Sequence, residues 1–284
     1  MDALPLELYH PIIKHLDKTA DIAAVLRCSK ALQRECEPLL YNHIIFDPTP
    51  RVFFNMTRNP RTATMIRSLT FFIIGWFAPP GSIVDTQWTV QTEAERIANL
   101  ELIHCAFGAL PNLKYLNLAS SRPLGMDLAF GTALDNVPFK LDTFLCQVTQ
   151  DWDIHRFLSG QTELKTLGWR PLGRVVGIDP FPSFQPGDLP YLRNIFNVST
   201  EILAEVVPGR PICRVQQDLY APSLFLSLSR SSAKVEVLVI KLLPLNQSIL
   251  EDFRRHTPHL RYLGCLSTRE NVSMQCFVSE SARF

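Results

Sequence analysis

Residues 111–118 read PNLKYLNL, and the apolar spacing in this stretch organises the chain: Leu113, two free positions, Leu116, one free position, Leu118. In an extended segment successive side chains point to opposite faces, so Leu116 and Leu118 share one face, Tyr115 and Asn117 the other. The spacing returns as Ile66-Leu69-Phe71, Leu141-Phe144-Cys146, Leu164-Leu167-Trp169, Leu192-Ile195-Asn197, Ile212-Val215-Gln217, Val235-Leu238-Ile240 and Leu260-Leu263-Cys265. From Leu141 the starting positions advance by 23, 28, 20, 23 and 25 residues. A step of that size is one strand plus one return segment, and units of this kind stack because each leaves an apolar face that its neighbour covers.

The return segments carry helix signals. Thr92-Glu93-Ala94-Glu95 is a capping box opening a helix through Ile97, Leu100, Ile103 and Phe107, and Ser248 with Glu251 opens another through Ile249, Leu250 and Phe253. The 47 residues from Ile66 to Leu113 leave room for two units and include an irregular stretch, Gly75–Val90, with Pro79-Pro80-Gly81. A second Pro/Gly-rich stretch runs from Pro171 to Pro190. Both read as long surface loops, where binding proteins often carry specificity.

Upstream, residues 1–46 follow a different period. Leu4, Leu8, Ile12 and Leu16, joined by Ile13, form one helical stripe. Pro5 suits a first helical turn, whereas Pro11 predicts a kink or restart. Asp21 is placed to cap a second helix with Ile22, Val25 and Leu26 inward, and Ser29 a third with Leu32 and Cys36. A linker with a short helix through Val52, Phe53 and Met56 occupies 47–65.

The order Leu4-Pro5, Leu8, Ile12, Leu16, Val25-Leu26, Lys30 and Pro38-Leu39-Leu40-Tyr41 resembles an F-box, and the chain as a whole is similar to fungal F-box proteins with irregular leucine-rich repeats. Leu32 stands where many relatives carry an aromatic residue, and the repeats lack the Asn that usually follows the third apolar position. The resemblance implies an α/β architecture: a three-helix F-box over 1–46, then a leucine-rich-repeat solenoid over 66–284 with parallel strands and helices on the convex side. It implies that Leu4, Pro5, Leu8, Ile12, Leu16, Val25, Leu26 and Lys30 form or flank a docking site for the adaptor subunit of a cullin-RING ubiquitin ligase. The repeats would then hold a target protein. The alternative is a repeat scaffold whose N-terminal helices only cap the open end of the solenoid.

Alternation along the strands predicts the binding face: Ser68, Thr70 and Phe72, then Tyr115, Asn117 and Ala119, Thr166, Gly168 and Arg170, Asn194, Phe196 and Val198, Arg214, Gln216 and Asp218, Val237, Val239 and Lys241, and Tyr262, Gly264 and Leu266. A mixed face with aromatic residues suits protein rather than phosphate. The residue after the first apolar position is basic at Arg67, Lys114, Lys165, Arg193 and Arg261, which predicts a positive rim able to steer an acidic partner. Solvated residues at strand entrances are the simpler reading of the same column.

Bulk properties narrow the remaining classes. Apolar residues make up 46% of the chain and charged residues 19%, with a formal net charge of +1, which gives no global attraction to nucleic acid or membrane. Cys28, Cys36, Cys105, Cys146, Cys213, Cys265 and Cys276 are scattered, without the pairing of a zinc site or a disulfide framework. The first residues lack a basic signal region and the apolar runs are too short for a bilayer, so a cytoplasmic or nuclear protein without cofactor is expected. His104-Cys105 are adjacent and diverge on a helix, and His256 and His259 lack further ligands at metal spacing. Gly173–Gly177 lacks the Lys and Ser/Thr of a phosphate loop, and no active site is assigned.

Overall fold

The computed structural model describes residues 8–16, 18–46, 50–72, 93–119, 131–147, 152–169, 184–221, 223–242, 247–266 and 273–277. Ten strands form one sheet whose spatial order is the chain order: β1 (His43–Phe46), β2 (Ser68–Phe72), β3 (Tyr115–Ala119), β4 (Thr143–Cys146), β5 (Thr166–Trp169), β6 (Asn194–Phe196), β7 (Arg214–Leu219), β8 (Val237–Leu242), β9 (Tyr262–Leu266) and β10 (Ser273–Phe277). The first nine are parallel, and β10 returns antiparallel to β9. A parallel sheet in sequential order, with helices in the connections, is a solenoid-like α/β arrangement.

Register follows the middle apolar position of the repeat. Leu69, Leu116, Phe144, Leu167, Ile195, Val215, Leu238 and Leu263 are paired strand to strand, and none is more than 6% exposed. Burying each such side chain contributes about 1.5–3 kcal/mol relative to leaving it in water. A one-residue slip would turn the whole row outward, so the row fixes the register. Main-chain bonding reinforces it. The carbonyls of Arg67, Lys114, Asp142, Lys165, Arg193, Cys213 and Glu236 each accept two successive N–H groups of the next unit, at 2.8–3.1 Å. This ladder uses no side chain, which leaves the residues at those positions free to vary in charge.

Two expectations about the repeats are corrected. β2 pairs directly with β3, so the interval between Ile66 and Leu113 holds one unit with a long return rather than two. The sheet also starts earlier than the triplets suggested: Ile44 pairs with Leu69, which makes β1 a first unit inside the N-terminal segment. Arg67 N–H donates to Asn42 O at 3.1 Å, continuing the same ladder.

The helices account for the remaining core. Among the described residues α1 runs Tyr9–Lys14, so Pro11 falls in its first turn, where its missing N–H has no intrahelical partner to lose; the upstream half of the expected kink or restart lies outside the described residues. Asp21 lies in the first turn of α2 (Thr19–Val25) rather than at its cap, where its charge still suits the helix dipole. Ser29 does cap α3 (Lys30–Asn42), its Oγ accepting from Leu32 N–H at 3.2 Å. Ser29→Ala is expected to cost about 1 kcal/mol and to lower the thermal midpoint by about 2–4 °C, with Ser29→Thr near wild type in the same melting experiment.

The linker holds two helices, α4 (Pro50–Thr57) and α5 (Pro60–Met65), the second capped by Asn59 with Pro60 opening it. Next come α6 (Glu93–Gly108), α7 (Trp152–Ser159), α8 (Thr200–Val206), α9 (Ser223–Leu228) and α10 (Gln247–His256). The Thr92 cap lies outside the described residues. Ser248 sits inside the first turn of α10 instead of capping it. Ile97 and Leu250, expected inside, are 50% and 52% exposed, while Ile103, Phe107, Ile249 and Phe253 are buried. Helix residues and inward strand residues join one core, in which Phe53, Phe71, Phe107 and Phe139 pack ring to ring across successive units.

Candidate functional site

Among the described residues two exposed surfaces bear on the expected sites. The first is on α1. Ile13 is 1% exposed and anchors the helix, whereas Leu8 just before it and Ile12 on it are 45% and 51% exposed. Leu8 and Ile12 thus form an exposed apolar pair next to the buried Ile13. Leu16, Val25 and Leu26 are half-buried, and Lys30 is exposed at the start of α3. Leu4 and Pro5 lie outside the described residues. The three helices join the sheet through α3: β1 follows it directly, Cys36 is fully buried, and Glu37 pairs with Arg61 of α5 at 2.5 Å. Burial pushes the Cys36 thiol above its usual range.

The second surface is the open face of the sheet. In β3 the burial alternates, so Tyr115, Asn117 and Ala119 point away from the core. Asn194 and Phe196 of β6, Gln216 of β7 and Lys241 of β8 do the same. Their contacts divide the face into three parts. At the β1–β3 end, His43 Nδ1 lies 2.5 Å from Ser68 Oγ, and Tyr115 is hydrogen-bonded with Thr70 and Asn117. Partial burial raises the Tyr115 phenol above its usual value, and those two hydrogen bonds pull the other way. In the middle, Asn194 Nδ2 donates to Thr166 Oγ1 at 3.1 Å, and the Arg214 guanidinium lies over the Phe196 ring at 5.8 Å. Towards the far end, Lys241 pairs with Asp218 at 2.6 Å, and Tyr262 leans over Gly264.

Several face assignments change. Arg170 lies outside the described residues. Val198, expected outward, is 2% exposed, because Asn197 adopts a left-handed φ of 51° that ends β6 and breaks the two-residue alternation. Gly168 is covered rather than open: a Cβ there would come within 2.7 Å of Leu145 Cδ2 and 3.5 Å of Phe196 Cβ. Leu145 therefore belongs to the face, although it was missing from the expected set. Its place was readable, since it lies between Phe144 and Cys146 in the Leu141 triplet.

The strand-entrance row is not a run of one sign. Lys114 pairs with Glu163 at 2.7 Å, Lys165 with Asp142 at 3.0 Å and Arg261 with Glu236 at 3.8 Å, so acids from neighbouring units neutralise most of the basic column. Arg67 and Arg193 are exposed and pair with no described carboxylate. The expected positive rim thus reduces to two separate positions.

Behind β6 the chain builds a support that sequence reasoning did not find. Arg210 is 2% exposed, and its guanidinium donates to the carbonyls of Asp188, Gln185, Glu205, Val206 and Pro208 at 2.9–3.2 Å. It also faces the Phe184 ring, which stacks on His155 at 4.2 Å. Burial pushes the guanidinium below its ordinary value, while Asp188 and Glu205 push it back up. His155 is likewise lowered by burial against the same two carboxylates. These contacts tie the segment leading into β6 to the end of α8.

Among the described residues no group of three or more His, Cys, Asp or Glu is placed to hold a metal ion, and no helix is long and apolar enough to cross a membrane. No protein-family model matches the chain, and no curated protein matches its sequence. Among the described residues two exposed faces stand out, an apolar one at α1 and a polar, aromatic one on the sheet. His104 and Cys105 are both exposed on α6, with His104 Nδ1 3.3 Å from Ala133 O.

Proposed function

We propose that this protein is a non-catalytic substrate-recognition subunit of a cullin-RING ubiquitin ligase, an F-box joined to irregular leucine-rich repeats. The observation that carries the reading is the outward pair Leu8 and Ile12, about half exposed around the buried anchor Ile13. Exposed apolar residues of this kind supply most of the energy of a helix-in-groove interface once a partner covers them. The first unit of the sheet begins immediately after α3, so the docking helices and the target-binding face belong to one continuous structure. A target held on the open face would be carried at a fixed distance from the adaptor. The protein acts in the cytoplasm or nucleus, where that ligase machinery works.

A capping role for the helices is compatible with this and has its own support, the buried Cys36 and the Glu37–Arg61 pair that fasten α3 to the first units. Point variants separate the two roles better than truncation, since removing residues 1–46 also removes β1. Leu8→Asp/Ile12→Asp is expected to reduce binding to the purified adaptor subunit at least about thirtyfold, as expected for two anchors at about 1–2 kcal/mol or more each, with an unchanged thermal midpoint. Equal adaptor binding by the folded double variant would remove the ligase reading and leave the cap.

A further inference from the structure

Around the middle of the sheet the charges do not cancel. Lys114, Lys165 and Arg261 each have a carboxylate partner, but Arg193 and Arg214 are both exposed and make no ion pair with any described residue. Arg214 opens β7, and Arg193 immediately precedes β6 at the strand entrance. Arg214 is in register with Asn194, the residue that follows Arg193, and parallel neighbours are about 4.8 Å apart. Glu236, on the next unit, is directed to Arg261, and Asp218 to Lys241. The Arg214 guanidinium lies over the Phe196 ring at 5.8 Å, and a guanidinium is a fork of N–H donors suited to a carboxylate.

Beside the two arginines lies an apolar shelf. Phe196 pairs with Gly168, and the missing side chain at Gly168 lets Leu145 from β4 close over it, so Leu145 and Phe196 meet on the open face, each half-buried. We propose that the open face between β4 and β7 binds an acidic peptide segment of the partner protein, Arg193 and Arg214 taking its Asp or Glu carboxylates and the Leu145–Phe196 shelf taking a neighbouring apolar side chain. A neutral segment laid here would strip water from two cations without replacing it. A nucleic acid would need a continuous row of free cations, and the pairing of Lys114, Lys165 and Arg261 interrupts such a row. This assignment rests on the reading of the sheet face as the target surface.

The test is a random-peptide display library selected on the full chain and, in parallel, on Arg193→Gln/Arg214→Gln, followed by titration of the recovered peptides. The expected result is enrichment of Asp or Glu next to Leu, Ile or Phe. Those peptides should bind about tenfold or more weakly to the double variant and more weakly at high salt. Leu145→Ala should also weaken them while leaving their salt dependence intact. Recovery of no binders, recovery of peptides without carboxylates, or equal binding to the double variant would overturn the proposal. Substituting phosphoserine for the selected Asp or Glu distinguishes the anion, and tighter binding by about tenfold or more would overturn the carboxylate assignment. Adaptor binding is read separately on α1. Acidic peptides bound by a chain that fails to bind the adaptor would leave this surface standing without the ligase, and the converse would remove this surface alone.

Discussion

Arg210→Met is expected to destabilise the protein by about 3–5 kcal/mol, the cost of removing a buried charged donor and leaving its acceptors unpaired. The guanidinium reaches five main-chain carbonyls, from Gln185 and Asp188 on one side and from Glu205, Val206 and Pro208 on the other. Glu205 and Val206 are in the last turn of α8, where outward carbonyls carry the negative end of the helix dipole and favour a cation. Met retains the packing of the stem and removes every donor. Arg210→Lys keeps the charge but replaces a planar fork with a point charge of three donors, so an intermediate loss of about 1–3 kcal/mol is expected. Urea unfolding gives both values. Hydrogen exchange should show protection lost first in 184–196 and α8, the two segments that Arg210 joins. A Met variant as stable as wild type would mean that water replaces the guanidinium at no cost.

Phe107→Ala carries the second large effect, again about 3–5 kcal/mol. Phe107 is fully buried on α6 and meets Phe53 at 5.6 Å, Phe71 at 6.2 Å and Phe139 at 6.3 Å, so its ring contacts α4, β2 and the segment before β4 at once. Deleting the ring removes its transfer energy and leaves a void shared by several units. In a stacked-repeat protein each unit is stabilised by its neighbours, so the damage should remain local. Exchange protection is expected to fall in α4, β2, α6 and β3 before it falls in β7–β9. Phe107→Leu, which keeps much of the volume, should cost less than half as much.

How much of this was readable beforehand differs by residue. The inward row from Leu69 to Leu263 was legible because burial and register both depend on apolar spacing, and all eight positions are the middle residues of the expected triplets. β1 was missed although Tyr41-Ile44-Phe46 has the same apolar spacing as the other triplets, because it lies within a segment read as helices. Val198 failed because alternation holds only while the backbone stays extended, and a positive φ at Asn197 is not written in the triplet. Arg210 was invisible for a different reason: its partners are main-chain carbonyls, which carry no sequence signature. The basic column was legible as residues but not as charge, since Asp142, Glu163 and Glu236 approach it from neighbouring units. Of the expected helical stripe only Ile12 and Ile13 lie in α1, with Leu8 just before it, Leu16 after it and Leu4 outside the described residues; Leu8 and Ile12 lie outward while Ile13 turns in.

The most direct measurement is a calorimetric titration of the purified adaptor subunit into the full chain. The account predicts saturable one-to-one binding at micromolar concentration or tighter, with a negative heat-capacity change from covering Leu8, Ile12 and their surroundings. A folded chain that gives no binding at micromolar adaptor would contradict it.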